Sequence, residues 1–208
     1  MGVRRIATSQ ITKQNKSSLF SNLPLDELKW ARVGNVPSGS VTTGLYNQQN
    51  VDYYYWKFLT TGSVTFSQGG FVDVMVVGGG GDSGGGAVSW KLVEVADNET
   101  ITVTIGAGGT YGGTSGFGSL CRSGGGMKFI SGEQNGVSGN GGGGGQGGNG
   151  STGGGSGGTV WGVATTSGTT LNYDNNQSIE YGIGASNGAI NTGNAPQGSG
   201  VVIFRSRK

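Results

Sequence analysis

Residues able to do chemistry are few in this chain. Histidine is absent from the 208 residues, which removes the usual general base, the commonest metal ligand and any Ser-His-Asp arrangement. Cys121 is the only cysteine, so neither an internal disulfide nor a multi-cysteine zinc site can form. The carboxylate pairs Asp97 with Glu99 and Asp26 with Glu27 have the composition used in glycoside cleavage. They fall in the turn-like ADNE and at a predicted helix start in LPLDELKW, where solvated charge is the ordinary explanation. Asp73 stands alone among apolar residues in FVDVMVV. An acid in such a strand is expected to be hydrogen-bonded or paired rather than catalytic. No glycine run ends in Gly-Lys-Ser/Thr, and chance matches to GxGxxG carry no weight in this composition. The expectation is a protein without enzymatic activity and without a cofactor or metal.

The elements that must position the remaining residues are unusual in composition. Glycine supplies 48 of 208 residues and hydrophobic residues one third, against a usual apolar share of roughly 45–50%. A single large core is therefore not expected. Disorder combines low hydrophobicity with high net charge, whereas here the net charge is +2 and seven Tyr, seven Phe and four Trp are present. Arg4 and Arg5 precede no apolar region, and no apolar run approaches the roughly 18 residues of a membrane span. Export and membrane insertion are not expected, and the sequons at Asn98, Asn149 and Asn176 read as chance matches.

Residues 1–22 are polar and basic, with Arg4, Arg5, Lys13 and Lys16 and no acid. They read either as an extended arm that grips a partner or as a frayed terminus. Four positive charges without interleaved aromatics do not argue for nucleic-acid binding. LPLDELKW then predicts one or two helical turns, with Pro24 at the first helical position. From Tyr53 the pattern has period two. Strands are predicted in DYYYWKFLTTGSVTF, FVDVMVV (71–77), AVSWKLVEV (87–95), TITVTI (100–105) and SGVVIFR (199–205), with a hairpin at 96–99. In TITVTI the residues Ile101, Val103 and Ile105 point one way and the threonines the other. The last strand is expected to return to the sheet of the others, making the glycine region between them an insertion.

The run at 139–158 has glycine at 14 of 20 positions. Bulky residues nearby, Tyr111, Phe117, Met127, Phe129 and Ile130, have no reason to occur in a flexible linker. Five consecutive glycines at 141–145 break the period of collagen. What remains is a packed array of extended helices of the polyglycine II type, whose amides must find partners in neighbouring segments. Ordering glycine costs more backbone entropy than any other residue, so only a dense hydrogen-bond network can offset it. Asn140, Gln146 and Asn149 read as solvated edges of that array or as hydrogen-bonding groups within it.

Residues 57–120 run from KFLTTGSVTF through FVDVMVVGGGG and TITVTIGAGG to GGTSGFGSL, and GSGVVIFR closes the chain. Together, over about three quarters of the sequence, they resemble the glycine-rich domain of bacteriophage tail fibres. The opening IATSQIT is similar, more softly, to the N-terminal arms of small phage fibre proteins. The fold class expected is mainly β: an antiparallel β-sandwich-like module with an inserted glycine-rich array and an extended N-terminal arm. The resemblance divides the chain into an attachment region, 1–50, and a glycine-rich β domain, 51–208. The latter has its array at about 106–160 and distal loops at about 161–198. It implies a homotrimeric virion protein, assembled in the host cytoplasm. Arg4, Arg5, Ile6, Ile11 and Lys13 would anchor it to a tail or capsid protein. A bacterial surface receptor, glycan or outer-membrane protein, would be met distally. Rigid aromatics and amides suit such contacts, and Trp161, Tyr173, Asn175, Asn176 and Tyr181 supply them. The alternative for these aromatics is packing at the trimer axis or on the sheet. A purely structural virion component is the alternative function.

Overall fold

The structure is a computed structural model that describes residues 28–35, 40–48, 50–82, 84–126, 169–172, 178–181, 190–193 and 197–208. Two five-stranded antiparallel sheets carry the fold, and no helix occurs among the described residues. Sheet I has the spatial order β2 (Val41–Gln48), β3 (Val51–Phe58), β12 (Val201–Arg207), β5 (Gly70–Val77), β6 (Val88–Val95). Sheet II has the order β1 (Arg32–Asn35), β4 (Gly62–Gln68), β7 (Thr100–Thr104), β8 (Ser115–Phe117), β9 (Cys121–Ser123). A separate ribbon pairs β10 (Thr169–Asn172) with β11 (Ser178–Tyr181).

Alternation explains how the sheets pack. β7 buries Ile101 and Val103 and exposes its threonines, as its period-two pattern predicts. Facing residues of β5 and β12, Val72, Val74, Val76, Val202 and Phe204, meet Val64, Phe66, Val103 and Phe117 of sheet II in one buried cluster. Phe204 is its hub, stacked on Trp56 at 4.9 Å and lying 5.4 Å from Phe117, 5.8 Å from Phe66 and 6.2 Å from Phe58. A smaller cluster, with Tyr55, Met75, Val77, Val88, Val201 and Ile203, occupies the opposite face of sheet I. The apolar residues thus divide over the two faces of sheet I, with the larger cluster lying between the sheets.

Three expectations are corrected. DYYYWKFLTTGSVTF is not one strand: β3 and β4 belong to different sheets. Between them the Thr60 hydroxyl accepts the Ser40 amide at 3.1 Å and the Thr61 hydroxyl accepts the Ile105 amide at 3.0 Å, which turns the chain from one layer to the other. The 96–99 turn does not close a hairpin, because β6 pairs with β5 and β7 with β4. Both strands have one apolar face, and stacking them in opposite sheets lets those faces cover each other. Glu99 accepts the Ala96 amide at 2.6 Å, and Asn98 supplies the left-handed residue at φ +58°. Finally, the end of LPLDELKW is extended. Ala31 donates to the Phe71 carbonyl and Phe71 to that of Lys29, so Trp30 lies parallel to the start of β5. Residues 23–27 lie outside the described residues.

The last strand returns to the sheet of β3, β5 and β6, as expected, and lies between β3 and β5, while β1 and β2 add edge strands that alternation did not reveal. Phe204→Ala removes the hub of the core and is expected to cost about 3–5 kcal/mol in urea unfolding. Cys121 is buried in the same cluster, and burial pushes its thiol from the ordinary 9.0 up to about 11. The folded state therefore holds the proton that the unfolded chain releases, and this contribution to stability is lost as pH rises from about 9 to about 11. At pH 8 a thiol reagent is expected to label Cys121 only at the rate of unfolding, measured by absorbance with and without urea.

Candidate functional site

All the described glycine-rich segments gather at one pole of the sandwich. Gly78–Gly81 follow β5, Gly84–Gly86 precede β6, Gly106–Gly113 follow β7, Gly124–Gly126 follow β9, and 197–200 precede β12. At the other pole, residues 29–31 bond to the start of β5, and Lys208 donates to the Asp52 carbonyl at 2.9 Å. The described chain therefore enters at Leu28 on the pole opposite the glycines.

A strand in a sheet has two bonded neighbours. Gly78–Gly81 has four: Gly84 and Ala87, Gly109 and Gly113, Gly126, and the segment Gln197–Gly198. Gly79 donates to Gly113 at 2.9 Å, Gly112 to Gly126 at 2.8 Å, and Gly126 back to Gly79 at 2.8 Å, which closes a triangle of three segments. The packing is thus three-dimensional and made of backbone. A Cβ built on Gly112 would lie 1.9 Å from the Gly79 carbonyl oxygen, and one on Gly125 would lie 1.9 Å from that of Gly112. No side chain can exist there, which is why these segments are glycine. The part of the expected array beyond Gly126, including the run at 139–158, lies outside the described residues. The observed assembly is recruited instead from short runs at the ends of five separate stretches of chain.

Two non-glycine residues with positive φ bond to this assembly. Asn191 (φ +60°) donates its side-chain amide to the carbonyls of Leu59 and Gly200, both at 2.8 Å. Gln197 (φ +58°) donates its backbone amide to Gly81 at 3.0 Å and its side-chain amide to Asp82 Oδ1 at 2.6 Å. The Asp82 amide in turn reaches the Thr110 carbonyl at 3.4 Å, and Tyr111 follows with its side chain 58% exposed.

The other polar constellation lies on the face of sheet I turned away from the main core. Asp73 accepts from Arg205 Nε at 2.9 Å and from the Trp90 indole, and both members of the ion pair are buried. Arg205 Nη1 donates to Gln48 at 2.5 Å, and its guanidinium lies 4.2 Å from the centre of the Tyr53 ring, which meets Trp30 edge-on. Both carboxylate oxygens of Asp73 are engaged, so the odd acid of FVDVMVV is paired, as expected. Its partner was legible too, as the lone cation in the equally apolar SGVVIFR.

Asp97, one of the sequence's carboxylate candidates, accepts the Gly69 amide at 2.5 Å and lies 4.0 Å from Lys29 in an exposed pair of little energetic weight. These residues border an open cavity of about 350 Å³ at the pole opposite the glycines. Among the described residues no three acids and cysteines converge as metal ligands, and no helix is long and apolar enough to cross a membrane.

Trp161, Tyr173, Asn175 and Asn176 lie outside the described residues, as do Arg4, Arg5, Ile6, Ile11 and Lys13. Tyr181 pairs with Thr169 through the backbone of β11. Tyr111 was noted only as a bulky residue among glycines, and Asp82 and Gln197 were not singled out: they are joined across 115 residues, with no local signal.

Gly112→Ala should destabilise the protein by at least about 2 kcal/mol through overpacking. Gly109→Ala, whose Cβ would approach nothing nearer than 3.5 Å, should stay within about 0.5 kcal/mol of wild type. Paired thermal or urea melts of the two variants check this contrast.

No protein-family model matches the chain, and neither a curated protein nor a solved structure matches it.

Proposed function

We propose that this chain is a bacteriophage virion fibre protein, a tail fibre without enzymatic activity that attaches the particle to a bacterial surface. The observation that carries the reading is the two-pole layout. Residues 29–31, among the first described, bond to the start of β5 at one pole, and the glycine assembly stands at the far pole. Such a layout suits a molecule anchored at one end and presenting a rigid surface at the other. Glycine segments bonded to four neighbours at once are the expected cross-section of a bundle of polyglycine II helices, and we read the assembly as the base of such a bundle. In this reading Arg4, Arg5, Ile6, Ile11 and Lys13 dock on a tail or capsid protein. Trp161, Tyr173, Asn175 and Asn176 belong to distal receptor-binding loops, and Tyr181, at the end of β11, completes the receptor-binding set. The working form is a homotrimer in the virion.

Rigidity is the physical reason to build a contact surface this way. A surface ordered before contact avoids ordering entropy at the moment of binding. Light scattering on the intact chain is expected to give three times the 20.9 kDa monomer mass. Fluorescently labelled protein should adsorb saturably to cells of a host species within a bacterial panel. A folded monomer that adsorbs to none of them would favour the purely structural virion role.

A further inference from the structure

At the glycine pole, Asp82, Gln197 and Tyr111 form a constellation that core packing does not explain. Gln197 holds a left-handed backbone at φ +58° that glycine adopts without strain. In a chain with 48 glycines, a glutamine here keeps its side chain against a conformational penalty. That side chain is exposed, and its amide donates to Asp82 Oδ1 at 2.6 Å. The contact uses one carboxylate oxygen of Asp82 and one amide hydrogen of Gln197, so the other carboxylate oxygen, the amide oxygen and the second amide hydrogen remain as hydrogen-bonding groups of an exposed pair. The Gly108 backbone lies close against that of Gln197, since a Cβ on Gly108 would be 1.7 Å from the Gln197 carbonyl oxygen. Tyr111, 58% exposed, follows Thr110, whose carbonyl receives the Asp82 amide at 3.4 Å.

From this we propose that the Asp82–Gln197 pair and Tyr111 form a saccharide-binding site. A sugar ring has vicinal hydroxyls, each donor and acceptor, above a face of C–H groups. The carboxylate–amide pair matches two adjacent hydroxyls, and a tyrosine ring matches the C–H face. An apolar peptide would leave the exposed pair unmatched, and a phosphate or other anion would be repelled by Asp82. The inference deepens the attachment reading and rests on it for where the sugar is met, while naming residues different from the receptor-binding loops proposed above.

An array of immobilised hexose and N-acetylhexosamine oligosaccharides, probed with the full chain, tests the site. Wild type is expected to bind a subset saturably. Tyr111→Ala and Gln197→Gly should each weaken that binding about tenfold or more, the loss of roughly 1.4 kcal/mol. Gln197→Gly carries a second readout, because glycine relieves the backbone strain and its melting temperature should match or exceed wild type. A wild-type chain that binds no saccharide on the array overturns the proposal, as does binding undiminished in both variants. A lowered melting temperature for Gln197→Gly assigns the pair to holding the loop and likewise overturns it. Adsorption to cells that is abolished by protease treatment of those cells, with a blank array, would sink the saccharide site while leaving the fibre reading intact.

Discussion

The insertion of β12 between β3 and β5 is the event on which the remaining structure depends. This strand, Val201–Arg207, completes the hydrogen bonding of two strands that have no other route to each other. It brings Phe204 into the centre of the aromatic core and Arg205 opposite Asp73 in the same register. The residue just before it, Gly200, donates to the Gly106 carbonyl at 2.8 Å and so couples sheet I to the glycine pole. Sandwich, ion pair and glycine assembly therefore close together, and none of the three is complete while the last strand is absent. Contacts of such long sequence separation make for slow folding, since the loop must close before the contacts are gained.

The glycine pole obeys a different physics from the sandwich. Apolar burial stabilises the sheets, whereas at the pole there is almost no side chain to bury. Backbone hydrogen bonds and close backbone approach hold it instead. Each glycine ordered there loses more conformational entropy than another residue would, so the bonds must be nearly complete for the assembly to form. Gly78–Gly81 bonded on four sides shows how that completeness is reached. Asn191 then fixes the assembly to the sandwich through its side-chain amide, and Gln197 joins it through its backbone amide.

Buried charge on sheet I is handled with equal economy. Asp73 and Arg205 are each other's direct cross-strand neighbours, and Trp90, Gln48 and Tyr53 satisfy or cover the rest of the pair. Removing either partner would leave an uncompensated buried charge, which is far costlier than the net worth of the intact pair. The pair fixes register as well, because a one-residue slip of β12 would send Arg205 to the opposite face, into the apolar core.

Period-two alternation was enough to find β7, which buries one face, and apolar runs marked β5 and β12, which are buried on both faces, and β6. The isolated Asp73 in such a run called for a partner, because burial leaves an unpaired charge costly. Bulky residues among the glycines argued against a linker, and the backbone network that this called for is seen in the described glycine segments, 78–81, 84–86, 106–113, 124–126 and 197–200. Sequence could not tell that β3 and β4 part company at Thr60 and Thr61, or that 96–99 links two layers instead of closing a hairpin. Local turn chemistry is the same in both cases, and only the need to cover two apolar faces decides between them. The short β1, β8 and β9 are likewise set by their neighbours. Which glycines meet, and that Asp82 lies beside Gln197, depended wholly on the tertiary structure: backbone groups are identical at every glycine, so nothing in their order distinguishes one partner from another until the sandwich brings the strand ends to a common pole.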